Sequence, residues 1–226
     1  MSSAFAMAPA RGLKAPDAAT LGRLALGGLA GLITWEVWAR VLTPLVLGGP
    51  LEPAGLVISL VGRWTGIALD RLPAEAIHYA IGIIGYPLAY WLVSRLLPRW
   101  GLALDVAVWA IFTIFLVLRA IGGGLDLSLF GFWVVVSLVT ATRSVNPNSL
   151  VADCLSWGSF TWFNALGLMA PLAGLPFLLI TWGGGLSFMS YVGHVIYGFV
   201  AAFVFERLDR RARSPEGEDL LKAKTA

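Results

Sequence analysis

The sequence predicts an all-α protein, a polytopic transmembrane bundle of about six helices with both termini in the cytoplasm. Three observations carry the prediction. Residues are 58% hydrophobic and only 13% charged, against roughly 25% charged in an average soluble domain. Apolar segments recur at lengths that suit a hydrocarbon core, which takes about 20 helical residues per crossing. Finally, the cations sort by side. With crossings at 22–47, 76–95, 102–121, 127–143, 158–182 and 187–206, twelve lysines and arginines share the side of both termini, and only Arg63 and Arg71 face the other, beside Glu52, Asp70, Glu75 and Asp126. The positive-inside bias makes the twelve-cation side cytoplasmic. A net charge of +3 then reflects topology and does not imply nucleic-acid binding.

Each element follows from local signals. Residues 1–21 mix Ala, Ser, Pro and basic side chains without an apolar core, so they read as an N-terminal cytoplasmic segment and not as a signal peptide. The bundle proper spans 22–206. After the first helix, the apolar stretch 54–69 is broken by Gly55, Gly62 and Gly66; as a crossing it would reverse every later segment. It is expected along the periplasmic interface as an amphipathic or re-entrant helix, with Trp64 in the headgroup region. The fourth helix is short, and Asn146-Pro147-Asn148-Ser149 ends it and caps the next through Asn148 or Ser149. Pro171 and Pro176 interrupt the fifth helix, Gly183-Gly184-Gly185 breaks the chain before the sixth, and 207–226 forms a basic and acidic cytoplasmic tail, with residues 1–18 and 212–226 mobile or interfacial. Trp91, Trp100, Trp157 and Trp182 lie near predicted helix ends, where indole rings anchor at the interface. Cys154, the single cysteine, has no internal partner and is expected to be inert.

The only two histidines begin similar runs. Ile77-His78-Tyr79-Ala80-Ile81-Gly82-Ile83-Ile84-Gly85 and Gly193-His194-Val195-Ile196-Tyr197-Gly198-Phe199-Val200-Ala201 place His, Gly and a small residue at offsets of zero, four and seven, along one helical face. The first and third helices each carry an embedded arginine, Arg40 or Arg119, before a glycine cluster. The pattern suggests two parallel repeats, the second expanded by the fourth and fifth helices. With the glycine-rich Gly27-Gly28-Leu29-Ala30-Gly31-Leu32, the Leu47-Gly48-Gly49-Pro50 exit and the Gly193-His194 helix running into Glu206-Arg207, about half the chain resembles the YagU-like small bacterial inner-membrane proteins. That resemblance implies a helical bundle in the bacterial inner membrane and no established activity. Residues 127–186 depart from the pattern as an insertion.

Ionisable groups inside a membrane need partners or water, which singles out Glu36, Arg40, His78, Arg119 and His194. Glu36 and Arg40, four apart with the acid first, are placed for an ion pair. His78 and His194, entering from one side, are candidate axial ligands of a haem b, with Gly82, Gly85, Gly198 and Ala201 leaving room for the porphyrin and Arg40 and Arg119 as propionate partners. Packing by hydrogen-bonded histidines and small residues is the plainer alternative. A protein-only zinc site lacks a third ligand. No phosphate loop, zinc-protease motif or nucleophile triad is present, and a proton relay lacks carboxylates in series. These features favour a role without catalysis, as an accessory or scaffold subunit of a larger respiratory or photosynthetic membrane complex. A haem-b electron-transfer protein is the alternative and a small transporter the third reading.

Overall fold

A computed structural model describes residues 15–96, 100–124, 127–146 and 149–213. Expectations for most of both tails, for Asn148 and for the Trp100 side chain lie outside these residues. Among the described residues the chain is helical without strands. The helices are α1 (Ala18–Leu47), α2 (Pro53–Thr65), α3 (Arg71–Leu96), α4 (Trp100–Ile121), α5 (Leu127–Val145), α6 (150–172) and α7 (Gly184–Ala212). Five of them, α1, α3, α4, α5 and α7, are long and apolar enough to cross a membrane.

Local chemistry sets the ends. Asp17 caps α1 by accepting the Thr20 N–H at 2.7 Å, and Gly48 stops it at φ +76°, a left-handed turn where a side chain would be strained. Pro53 opens α2 and Gly66, at φ +71°, closes it. Thirteen residues rise about 20 Å at 1.5 Å per residue, short of the roughly 30 Å of a hydrocarbon core. Ser149 caps α6, accepting the Ala152 N–H at 3.4 Å. Loss of that bond in Ser149→Ala is expected to cost about 1 kcal/mol, read as an earlier thermal transition of the detergent-solubilised protein; an unchanged transition would show that the cap carries no stability.

Several boundaries differ from expectation, α1 beginning at Ala18 and α3 at Arg71 among them. The fifth helix runs 150–172 in place of 158–182, because the Ser149 cap starts it early and it ends shortly after Pro171. A 3-10 turn, Phe177–Trp182, follows Pro176, with Leu178 and Leu179 at φ +53° and +54°. The last helix continues past 206 to Ala212, because Asp209 is drawn inside by arginines. Gly183 breaks the chain at φ +127°.

Three helices widen into π-helical turns, at Trp38–Leu42, Ile81–Gly85 and Phe163–Met169. Each turn is followed by a proline: Pro44, Pro87 and Pro171. A proline inside a helix lacks the N–H that would pair with the carbonyl four residues back, and its ring collides with that carbonyl. The carbonyls concerned belong to Arg40, Ile83 and Gly167, all within the widened turns. The π turn moves the carbonyl out of the way, and the loosened backbone finds other donors. Thr43 Oγ1 donates to the Trp38 carbonyl at 2.9 Å, and the Tyr197 hydroxyl of α7 donates to the Gly82 carbonyl at 2.6 Å. Removing the latter in Tyr197→Phe leaves a buried acceptor unpaired, an expected loss of about 1–2 kcal/mol in unfolding by denaturing detergent; stability equal to wild type would mean that the carbonyl is satisfied without it.

α7 is the axis of the bundle. On one side it runs antiparallel to α1, and on the other it meets α6. Glycine permits both approaches. A Cβ on Gly27 would stand 2.5 Å from the Ala201 carbonyl oxygen, and one on Gly31 2.8 Å from that of Tyr197. Across the other face Gly158 of α6 touches the backbone at Val195, and Gly198 of α7 touches Gly158 in return. α3 lies on α1, where Gly28 meets the Gly82 and Ile83 carbonyls. α4 and α5 pack together beside α6.

Aromatic clusters fill the spaces between. Phe112, Phe132, Trp162 and Tyr191 join α4 to α7, and Tyr90, Trp91, Trp157 and Phe205 join α3, α6 and α7. Trp91 and Trp157 are buried, Trp157 completely. The expectation that they anchor at the membrane interface is corrected, because their rings pack against other helices. Trp64 and Trp182 are exposed, as interfacial rings would be. Cys154 is free and fully buried.

The two histidine helices do not repeat each other in packing. Gly198 and Ala201 are both buried against neighbours, whereas after the π turn in α3 Gly82 is buried and Gly85 exposed. α3 packs on α1, while α4, its counterpart's proposed partner, packs on α5 and α6. The offsets agree in sequence without giving equivalent surfaces.

Candidate functional site

Ion pairs gather at both ends of the helices. At the end where α1 begins and α7 ends, Asp209 forms ion pairs with Arg23 at 3.2 Å, with Arg95 at 3.2 Å and with Arg213 at 2.8 Å, and Arg95 also reaches Glu206 at 3.7 Å. These contacts tie α1, α3 and α7 together. Nearby, Arg143 of α5, itself buried, pairs with Asp153 of α6. In the interior, Ser156 donates to the buried Asp105 at 2.6 Å, and Tyr86 donates to Asn164 at 3.0 Å.

The opposite end holds the predicted ionisable residues. Arg40 pairs with Glu36, one turn earlier on α1, as the four-residue spacing anticipates. It also donates to both carboxylate oxygens of Glu75 on α3, each at 2.9 Å. Glu75 adds a 3.7 Å contact with Arg71, which reaches Glu52 at 3.2 Å. His78, one turn after Glu75, places Nε2 3.7 Å from Glu36 Oε1. The sequence had set Glu75 apart as a loop acid. Its place in the cluster follows from the start of α3 at Arg71, five residues before the expected boundary.

Beside this cluster lies a cavity of about 530 Å³. α2 forms one wall through Leu56, Ser59 and Leu60; α3 contributes Ile77, His78 and Ile81; α6 contributes Ala165, Leu166 and Met169; α7 contributes Leu186, Ser190 and His194. Trp35 of α1 closes it, its ring centroid 4.4 Å from that of His194 in an edge contact. Both histidines therefore face one space, and they also line a smaller adjoining pocket with Leu32, Gly82 and Tyr197. The π turns in α3 and α6 lie at the cavity wall, as such turns often do at ligand sites.

Hydrogen bonding fixes one imidazole. His194 Nδ1 lies 2.8 Å from the Ser190 carbonyl, which can only accept, so Nδ1 carries a proton, and in the neutral ring Nε2 holds the lone pair. Among the described residues of this site, three buried polar atoms make no hydrogen bond: Trp35 Nε1, His78 Nε2 and Glu36 Oε1.

The other predicted residues stand elsewhere. Arg40 is fully engaged by carboxylates, Arg119 donates to the Gly124 carbonyl at 3.1 Å, and neither lines the cavity. The helix faces at Gly82, Gly198 and Ala201 are occupied by Leu32, Gly158 and α1 in turn. Among the described residues no group of three or more His, Cys, Asp or Glu side chains is placed to hold a metal ion. Sequence reasoning missed the cavity because its walls are ordinary apolar residues from five segments. The available signal was the set of prolines inside predicted helices, which mark where the helices widen.

Comparisons with family models, with curated proteins and with solved structures return no match to this chain. The likeness to YagU-like proteins rests on the quoted residues alone.

Proposed function

We propose that this chain is a bacterial inner-membrane protein with six crossings and both termini cytoplasmic, acting by binding as an accessory subunit of a larger membrane complex. α6 supplies the sixth crossing. At 1.5 Å per residue it rises about 34 Å, and its polar side chains Ser156, Ser159 and Thr161 are buried among other helices, away from lipid. The observation that carries the reading is the apolar cavity of about 530 Å³ between α1, α2, α3, α6 and α7, within the size range of small-molecule sites. With no catalytic motif in the sequence, a ligand held there serves recognition or assembly.

Mild-detergent extraction from native membranes, followed by native electrophoresis and crosslinking, tests the subunit role. A defined larger assembly is expected, and an isolated monomer would overturn the role. Sidedness is checked in a Cys154→Ser background. A cysteine at exposed Leu72 should react with an impermeant maleimide in intact spheroplasts, and one at exposed Arg213 only after lysis. The reverse pattern would invert the topology.

A second reading keeps haem b, since His78 and His194 line the same cavity. The fit is partial, because neither Arg40 nor Arg119 reaches that space to meet a propionate. Bound haem would supply electron transfer, with the imidazoles as ligands. A reduced-minus-oxidised spectrum of native protein decides it: a haem-b band lost in both His78→Ala and His194→Ala supports the reading, and colourless protein from haem-sufficient cells ends it.

A further inference from the structure

We propose that the cavity holds an uncharged amphiphile with a hydroxylated ring head, of the phenol or quinol class, its head at Trp35, His78 and His194 and its apolar body along α2 and α6. The inference rests on the reading of the cavity as a binding site and names what it selects.

Unsatisfied polar atoms locate the head. A buried donor or acceptor without a partner is costly, so something outside the protein's own hydrogen bonds must meet it. Trp35, with 4% of its surface exposed, offers the Nε1 donor without a partner. Gly193 packs against the six-membered edge of that indole, leaving the nitrogen edge clear of this contact. The neutral His194 ring offers its Nε2 lone pair, Nδ1 being held by the Ser190 carbonyl, and His78 Nε2, 3.7 Å from Glu36 Oε1, makes no hydrogen bond to the protein. A hydroxyl satisfies such a set, since it donates to an imidazole nitrogen and accepts from an indole N–H.

Charge excludes an acid. Among the described residues no lysine or arginine lines the cavity. The adjacent cluster sets one guanidinium, Arg40, against two carboxylates, Glu36 and Glu75, and Glu52 at the rim already holds Arg71. A fatty-acid carboxylate would meet no free cation and would face like charge. A neutral head escapes that penalty. The ring is matched by Trp35, Tyr86 and Trp182, and the chain by Leu56, Leu166 and Leu179.

The test uses the full chain in lipid nanodiscs and a 4-decylphenol analogue with a photoreactive diazirine in its chain, at pH 7, where the phenol is neutral. Labelled peptides are mapped by mass spectrometry, with unlabelled 4-decylphenol or palmitate as competitor. Labelling of α2 and α6 cavity residues is expected, displaced by decylphenol at concentrations at least tenfold below those of palmitate. Trp35→Phe and His194→Gln should each weaken competition about tenfold, with gel-filtration profiles unchanged. Equal competition by palmitate would overturn the ligand class and leave the binding site standing. Labelling confined to lipid-facing residues, with no displacement by either competitor, would overturn the site itself. The wild-type competition alone decides the class, whatever the variants do.

Discussion

Replacing Gly158 by alanine is expected to destabilise the protein by about 2–3 kcal/mol, and replacing it by leucine to abolish recovery of monodisperse protein. An added Cβ would lie 2.8 Å from the Val195 carbonyl oxygen and 2.9 Å from that of His194. These are backbone atoms of α7, which cannot rotate aside as a side-chain tip can. The helices must separate, and overpacking of this kind costs about 1–3 kcal/mol, more for larger groups. Separation would also loosen α6 beside Trp162 and Tyr191, whose rings lie 5.1 Å apart across the same interface. Gly131→Ala is the internal comparison. That glycine lies within α5 with nothing within 4 Å of its added Cβ, so alanine should stabilise by about 0.5–1 kcal/mol through helix propensity. Unfolding by denaturing detergent, followed by circular dichroism, measures both. Gly158→Ala within 0.5 kcal/mol of wild type, on the order of an ordinary surface change, would show that close backbone contact does not hold α6 to α7.

Arg40→Met is the second large effect, an expected loss on the order of 2 kcal/mol. The guanidinium bridges Glu36 on its own helix to both oxygens of Glu75 on α3. Methionine keeps the apolar stem and removes the charge, leaving two carboxylates facing each other beside His78. Breaking a fully buried pair costs about 3–5 kcal/mol; a third of the Arg40 side chain is exposed, so solvent screening reduces the figure. Adding Glu75→Gln should recover part of the loss, because only one acid then remains. A double variant less stable than Arg40→Met would contradict that account, and an unperturbed single variant would show the cluster to be solvated and energetically neutral.

Five of the six expected segments, those long and apolar enough to cross a membrane, were legible in the sequence because lipid imposes a length and an apolar composition that few other environments require. Glu36 and Arg40 were legible for a similar reason, since four-residue spacing on a helix decides their contact before any tertiary structure forms. Glu75 was not. Its role depends on where α3 begins and on how α3 lies against α1. Trp91 and Trp157 misled because position near a helix end does not say which way a ring faces. Their burial comes from neighbours contributed by residues far along the chain, Phe205 among them. The same distance hides the cavity, whose walls meet only when five segments have packed. Pro44 and Pro87 carried more information than their place inside apolar stretches suggested, because a widened turn ends two residues before each.

The polar side chains of α6 bear on how the protein is made. Asp153, Ser156, Ser159, Thr161 and Asn164 would weaken the hold of this segment on lipid if it left the translocon alone. Its glycine-to-glycine partner, α7, begins only at Gly184 and is synthesised next. α6 gains its full environment when that following helix arrives. On the proposed six-crossing topology, insertion of the two is a joint event, and a ribosome stalled before α7 would leave α6 as the segment most readily returned to water or taken by a quality-control protease.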